Sequence, residues 1–82
     1  MTKIQLYTLS TCVYCKGLKK YLMDKGFEFD YIDVDRLSGR EREAVLTKVM
    51  ELNPSISFPT AVINGKVIVG YDKEKVNRAL GL

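Results

Sequence analysis

Two cysteines, Cys12 and Cys15, stand two residues apart in the stretch Ser10-Thr11-Cys12-Val13-Tyr14-Cys15-Lys16, and they are the only thiols in the 82-residue chain. That spacing points to dithiol redox chemistry. A thiolate, not a thiol, attacks a disulfide, so a reactive cysteine needs surroundings that favour a negative sulfur. Cys12 falls at the first turn of an expected helix, where unsatisfied N–H groups and the positive end of the helix dipole supply them. Lys16, four residues on, and Lys19 add positive charge. Cys15 lies three residues further into the helix, on the same side but deeper, and is better suited to resolve a mixed disulfide than to start one. The plain alternative for the pair is two buried thiols acting as small hydrophobes.

Composition narrows the chemistry further. Histidine is absent, which removes cysteine–histidine dyads, serine triads with a histidine base and His–Cys metal sites together. One cysteine pair is half of a four-thiolate zinc site, so no metal site is expected within the chain. A bridge across two residues closes too small a loop to stabilise much, so the thiols must matter for their reactivity. The net charge of +3 is mild, and without four consecutive Lys or Arg there is no nucleic-acid footprint. No signal-peptide core and no apolar run near membrane-spanning length are visible, so a soluble cytoplasmic protein is expected, with no membrane partner. Residues 1–82 make one small domain, and nothing demands more than a monomer.

The elements that must position the thiols follow from periodicity. Lys3-Ile4-Gln5-Leu6-Tyr7 alternates and reads as a first strand. Ser10 or Thr11 is the expected cap of a helix running to about Lys25, with Gly26 as its left-handed terminator. Leu18 and Leu22 face inward, Lys16, Lys19, Lys20 and Lys25 mostly outward, and Gly17 costs helix stability or marks close packing. Phe27 to Val34 reads as a second strand, parallel to the first across the helix. Ser38-Gly39-Arg40-Glu41 is a capping box before a helix with Val45, Val49 and Leu52 on one face, ended by Asn53-Pro54. Phe58 to Ile63 and Lys66 to Val69 flank Asn64-Gly65, a strong hairpin signal. Asp72 caps a last helix carrying Val76 and Leu80, with Gly81 after it.

Three motifs in this order resemble the glutaredoxin family within the thioredoxin-like fold. Cys12-Val13-Tyr14-Cys15 is similar to the family's Cys-Pro-Tyr-Cys, Ser57-Phe58-Pro59 stands where the family has Thr-Val-Pro with a cis proline, and Val69-Gly70-Tyr71-Asp72 falls at its Gly-Gly turn and acidic cap. The resemblance covers essentially the whole chain. It implies an α/β fold of order βαβαββα, a four-stranded mixed sheet flanked by three helices, with Pro59 cis and facing the cysteines. It also implies that Phe58 backbone groups pair with a bound peptide or glutathione, and that Tyr14, Ser57, Gly70, Tyr71 and Asp72 line the same site. Three positions depart from the pattern: the active-site proline is Val13, the lysine three residues before the nucleophile is Leu9, and the first turn glycine is Val69. Part of the glutathione clamp is therefore missing.

The expected activity is thiol–disulfide oxidoreduction. Cys12 is the nucleophile and Cys15 the resolving thiol, the two forming a redox-active disulfide, with Lys16 stabilising the thiolate. No bound cofactor is expected. The partners are disulfide-containing proteins and an electron donor, either glutathione or a flavoprotein disulfide reductase. The alternative of another class is a module in which two chains, each giving one cysteine together with glutathione, hold a [2Fe–2S] cluster.

Overall fold

The computed structural model describes residues 2–82. In chain order these are β1 (Ile4–Thr8), α1 (Val13–Asp24), β2 (Asp30–Asp33), a 3-10 turn at Val34–Arg36, α2 (Gly39–Leu52), β3 (Thr60–Ile63), β4 (Lys66–Val69) and α3 (Lys73–Leu80). The strands form one sheet in the order β2-β1-β3-β4. β2 runs parallel to β1, while β3 and β4 run antiparallel to their neighbours. This is the mixed four-stranded, three-helix arrangement that the sequence implies.

Alternation along β1 sends Ile4 and Leu6 to one face, and register continues that face across the sheet. Leu6 pairs with Ala61, Ala61 with Ile68, and Ile4 with Ile63. Leu18 and Leu22 of α1 and Val76, Ala79 and Leu80 of α3 complete this core, with Tyr21, Phe27, Phe29 and Tyr71 packed against its rim. Tyr7 and Thr60 are paired on the opposite face, and both are buried. α2 buries Val49 and packs on the 3-10 turn, where Val34 is buried. No helix among the described residues is long and apolar enough to cross a membrane.

Several boundaries differ from the sequence reading. Residues 27–29 do not join β2; Phe27 N–H closes back on the Leu22 carbonyl at 3.0 Å, and the two Phe rings rest on the core. Their alternation reflects packing rather than pairing. Ser38 precedes α2, but its side chain makes no capping bond. Gly39 enters the helix at φ 59°, so the backbone leaves Ser38 in a direction its hydroxyl does not span. β3 begins at Thr60, two residues later than expected, because Phe58 and Pro59 belong to the loop before it. Asn53 is extended, as required before Pro54, and ends α2 as expected.

The hairpin tip also ties Lys3, just before β1, to Ala79 near the end of α3. Asn64 N–H donates to the Lys3 carbonyl at 2.8 Å, Lys3 N–H donates to Asn64 Oδ1 at 3.0 Å, and Asn64 Nδ2 donates to the Ala79 carbonyl at 3.3 Å.

Candidate active site

The chain leaves β1 through a tight turn in which Cys12 N–H donates to the Leu9 carbonyl at 3.2 Å. Ser10 within it is held by Asp35: its N–H donates to Oδ1 at 2.8 Å and its hydroxyl donates to Oδ2. That hydroxyl, with the Ser10 N–H, holds the Asp35 carboxyl below the usual carboxylate range. With Ser10 so engaged, neither it nor Thr11 caps α1. The cap is Cys12 itself, whose extended backbone places Sγ where it accepts the Cys15 N–H at 3.2 Å, while its carbonyl accepts Lys16 N–H at 3.1 Å. The sulfur expected to react is thus the group that satisfies an orphan donor at the positive end of the helix.

The two thiols differ in access. Cys12 is half-buried and Cys15 wholly buried, and both are free. Burial pushes the Cys15 thiol up to about 12, helped by its hydrogen bond with Cys12 and opposed by the Leu9 backbone and by Lys19. Reagents in solvent therefore meet Cys12. Its Sγ also makes a long contact, 3.9 Å, with the Phe58 carbonyl, next to the cis Phe58–Pro59 bond and the buried Pro59 ring.

A residue read only as a helix end, Asn53, builds the loop that carries Phe58. It is 3% exposed. Its Nδ2 donates to the Ser57 carbonyl (3.2 Å), the Ser57 hydroxyl (3.0 Å) and Thr60 Oγ1 (3.1 Å), while Oδ1 accepts Ser55 N–H at 3.1 Å. Thr60 in turn donates to the Ser57 carbonyl at 2.7 Å. Ser57 is brought to the site, with its hydroxyl accepting from Asn53.

Gly70, in the left-handed conformation, donates its N–H to the Pro59 carbonyl at 2.8 Å and so sits beside the proline. Tyr71 folds back on α1, and a Cβ at Gly17 would lie 3.1 Å from its ring; this explains the glycine inside the helix. The Tyr71 ring also meets Tyr21 at 6.1 Å between centroids, and burial pushes its hydroxyl up. Asp72 caps α3 by accepting Glu74 N–H and Lys75 N–H. The structure thus gives Tyr71 and Asp72 firm structural duties. Val13 and Tyr14 instead stand out from the first turn of α1, 78% and 68% exposed. Leu9 is half-buried, and Val69, the last residue of β4, is exposed one pair away from Pro59.

Of the lysines on α1, Lys19 is the one arranged differently from the expectation. Lys16 is exposed, and among the described residues its ammonium has no ion-pair partner. Lys19 does not point outward: its ammonium lies 3.0 Å from Asp33 Oδ1 and 3.9 Å above the Tyr31 ring centre. Its long stem covers the distance from α1 to β2. Asp33 also accepts the hydroxyl of the fully buried Thr8. Burial pushes the Asp33 carboxyl up, but the Thr8 hydroxyl and the Lys19 ammonium outweigh it and hold the group below its ordinary value. Among the described residues no cluster of three or more His, Cys, Asp or Glu could hold a metal ion.

The glutaredoxin family model matches residues 4–68. Glutaredoxin from Methanosarcina mazei Go1 is 49% identical, with a TM-score of 0.89 over 98% of this chain and 79% of its own. Methanoredoxin from Methanosarcina acetivorans is 46% identical, with a TM-score of 0.90 over 98% of this chain and 85% of its own. An uncharacterised glutaredoxin-like 8.6 kDa protein in the rubredoxin operon of Clostridium pasteurianum is 31% identical over 78 residues, 94% of this chain and 96% of the other.

Proposed function

The chain belongs to the glutaredoxin family of thiol–disulfide oxidoreductases, and from that premise we propose that it reduces disulfides of client proteins by a two-thiol exchange in which Cys12 attacks and Cys15 resolves. The observation that carries this reading is the contrast between the thiols: a half-buried Sγ at the start of α1 and a wholly buried one a turn deeper. In the first step the Cys12 thiolate attacks one sulfur of the client disulfide, and the other leaves as a thiolate. In the second, the Cys15 thiolate attacks Cys12 Sγ, the client thiolate leaves, and a Cys12–Cys15 disulfide remains. Two electrons from a donor then restore both thiols.

The surroundings of Cys15 support this order of events. Its hydrogen bond and charge interaction with Cys12 both keep it protonated. Once Cys12 is capped as a mixed disulfide, its negative form is gone and that restraint goes with it. On the binding side, the exposed Tyr14 ring and the chain at Phe58 offer a docking edge for an extended client segment next to Cys12. Ser57, Pro59, Gly70, Tyr71 and Asp72 are assigned to the same edge. The exchange suits a reducing cytoplasmic compartment, where a thiol pair is kept available, and a single chain holds every group it uses.

A second choice concerns the donor. Leu9 offers no charge for a glutathione carboxylate, and the Val69 side chain stands exposed where a glycine would leave room. These two positions favour reduction by a flavoprotein disulfide reductase over reduction by glutathione. The test is to incubate the oxidised protein with glutathione, or with a thioredoxin-reductase-type flavoenzyme and NADPH, and to count free thiols over time. Recovery of both thiols with the flavoenzyme, and slow recovery with glutathione, is the expected result. Fast, complete recovery with glutathione alone would reverse the donor assignment, and failure of the reduced protein to reduce any disulfide would overturn the function.

A further inference from the structure

Of the four ion pairs among the described residues, only Lys19–Asp33 has both side chains largely withdrawn from water, at 19% and 13% exposure. Withdrawing two charges is costly, and the pair's own attraction is a poor reason for keeping it. Its placement offers a better one. Lys19 is one helical turn beyond Cys15 on the same face of α1, the i to i+4 relation. Cys15 is the buried thiol that must ionise for the second step. The Lys19 ammonium is also fixed: Asp33 Oδ1 holds it at 3.0 Å and the Tyr31 ring lies 3.9 Å beneath it, while Asp33 is anchored by the Thr8 hydroxyl.

We propose that Lys19 is the cation that stabilises the Cys15 thiolate in the resolving step, and that Asp33 is the residue that positions it. The role rests on the two-step reading above, and it differs from a helix lysine acting on Cys12. During the step Cys15 gives its proton to solvent, its sulfur bonds to Cys12 Sγ, the bond from Cys12 to the client breaks, and the client sulfur leaves with the electron pair. The charged and titratable groups around the pair are Cys12 on α1, Asp33 and Tyr31 on β2, and Asp35 and Arg36 on the 3-10 turn, whose Arg36 Nε stands 3.7 Å from Asp33 Oδ2. In the mixed disulfide Cys12 carries no charge, and Asp33 is already matched by Lys19 and Thr8. The direction of the Lys19 influence on Cys15, opposing burial, agrees with the assignment.

The test follows the two release phases when the reduced full chain is mixed rapidly with 5,5′-dithiobis(2-nitrobenzoate). The first thionitrobenzoate reports attack by Cys12, and the second reports displacement by Cys15. In K19M the midpoint of the second phase should move up by about one pH unit, and its rate near neutral pH should fall about tenfold relative to the first phase. K19R should keep the wild-type midpoint. K19Q, which also drops the charge, is run alongside with melting curves for all variants, so that the comparison uses folded protein. A second phase in a folded neutral variant with wild-type midpoint and rate overturns the proposal. So does a K19R variant as impaired as K19M, because the effect would then be packing and not charge. Absence of any second phase in the wild type would instead sink the two-step reading and leave Lys19 no such role.

Discussion

Cys12 holds two positions at once, the cap of α1 and the accessible thiol, and substitutions separate them. Serine is a good helix cap, so Cys12→Ser should keep the melting temperature close to wild type while disulfide reduction is lost. Cys12→Ala should lose activity equally and also cost about 1 kcal/mol of stability, read from denaturant unfolding. Residual turnover in either variant would mean that the nucleophile lies elsewhere. In Cys15→Ser the first step has no successor, so a client or glutathione adduct on Cys12 should accumulate and add its mass to the chain. The absence of any adduct would count against Cys12 attacking first. At this scale the cysteine spacing and Pro59 were legible, since both announce themselves in a few adjacent residues. The cap was not, because Ser10 is drawn off by Asp35, 25 residues away. Lys19 was not either, because on α1 alone its position reads as outward, and only β2 supplies Asp33 and Tyr31.

At the scale of elements, the loop between α2 and β3 depends on one buried side chain. Ile56 occupies the left-handed region at φ 48°, an unfavourable conformation for a β-branched residue, and its N–H is tied to the Asn53 carbonyl at 2.9 Å. Asn53 therefore holds a strained segment as well as the Ser57 carbonyl and Thr60 hydroxyl. Asn53→Ala should lower stability by about 2 kcal/mol in denaturant unfolding, with the loss of buried hydrogen bonds as the cause, and should slow disulfide reduction because Phe58 follows in the same loop. A loss well under that figure would mean that water takes over the bonds. The hairpin and both ends of α3 could be read from sequence because Asn64-Gly65, Asp72 and Gly81 act locally. β2 and the Ser38 cap were misread because Phe27 and Phe29 answer to the core, and Gly39 to a backbone turn, before they answer to local pattern.

For the molecule as a whole, stability should respond to pH at both extremes. Asp33 and Asp35 are held below their ordinary values in the fold, so their contribution is complete above about pH 4 and is lost as pH falls beneath it. The buried Cys15 thiol works in the opposite sense. Raised from 9.0 to about 12, it favours the folded state fully below pH 9.0, and that preference drains away as pH climbs toward 12. The melting temperature of the reduced protein should thus fall more steeply across the alkaline range than that of Cys15→Ala. Tyr71 pushes in the same direction but is present in both proteins, so the difference reports Cys15. Parallel curves would mean that the thiol titrates alike folded and unfolded. The grip of Asn64 on Lys3 and Ala79 carries a separate message for the engineer. β1 runs away from that knot toward Cys12, so a label placed on the hairpin tip sits at the opposite pole and keeps clear of the thiols.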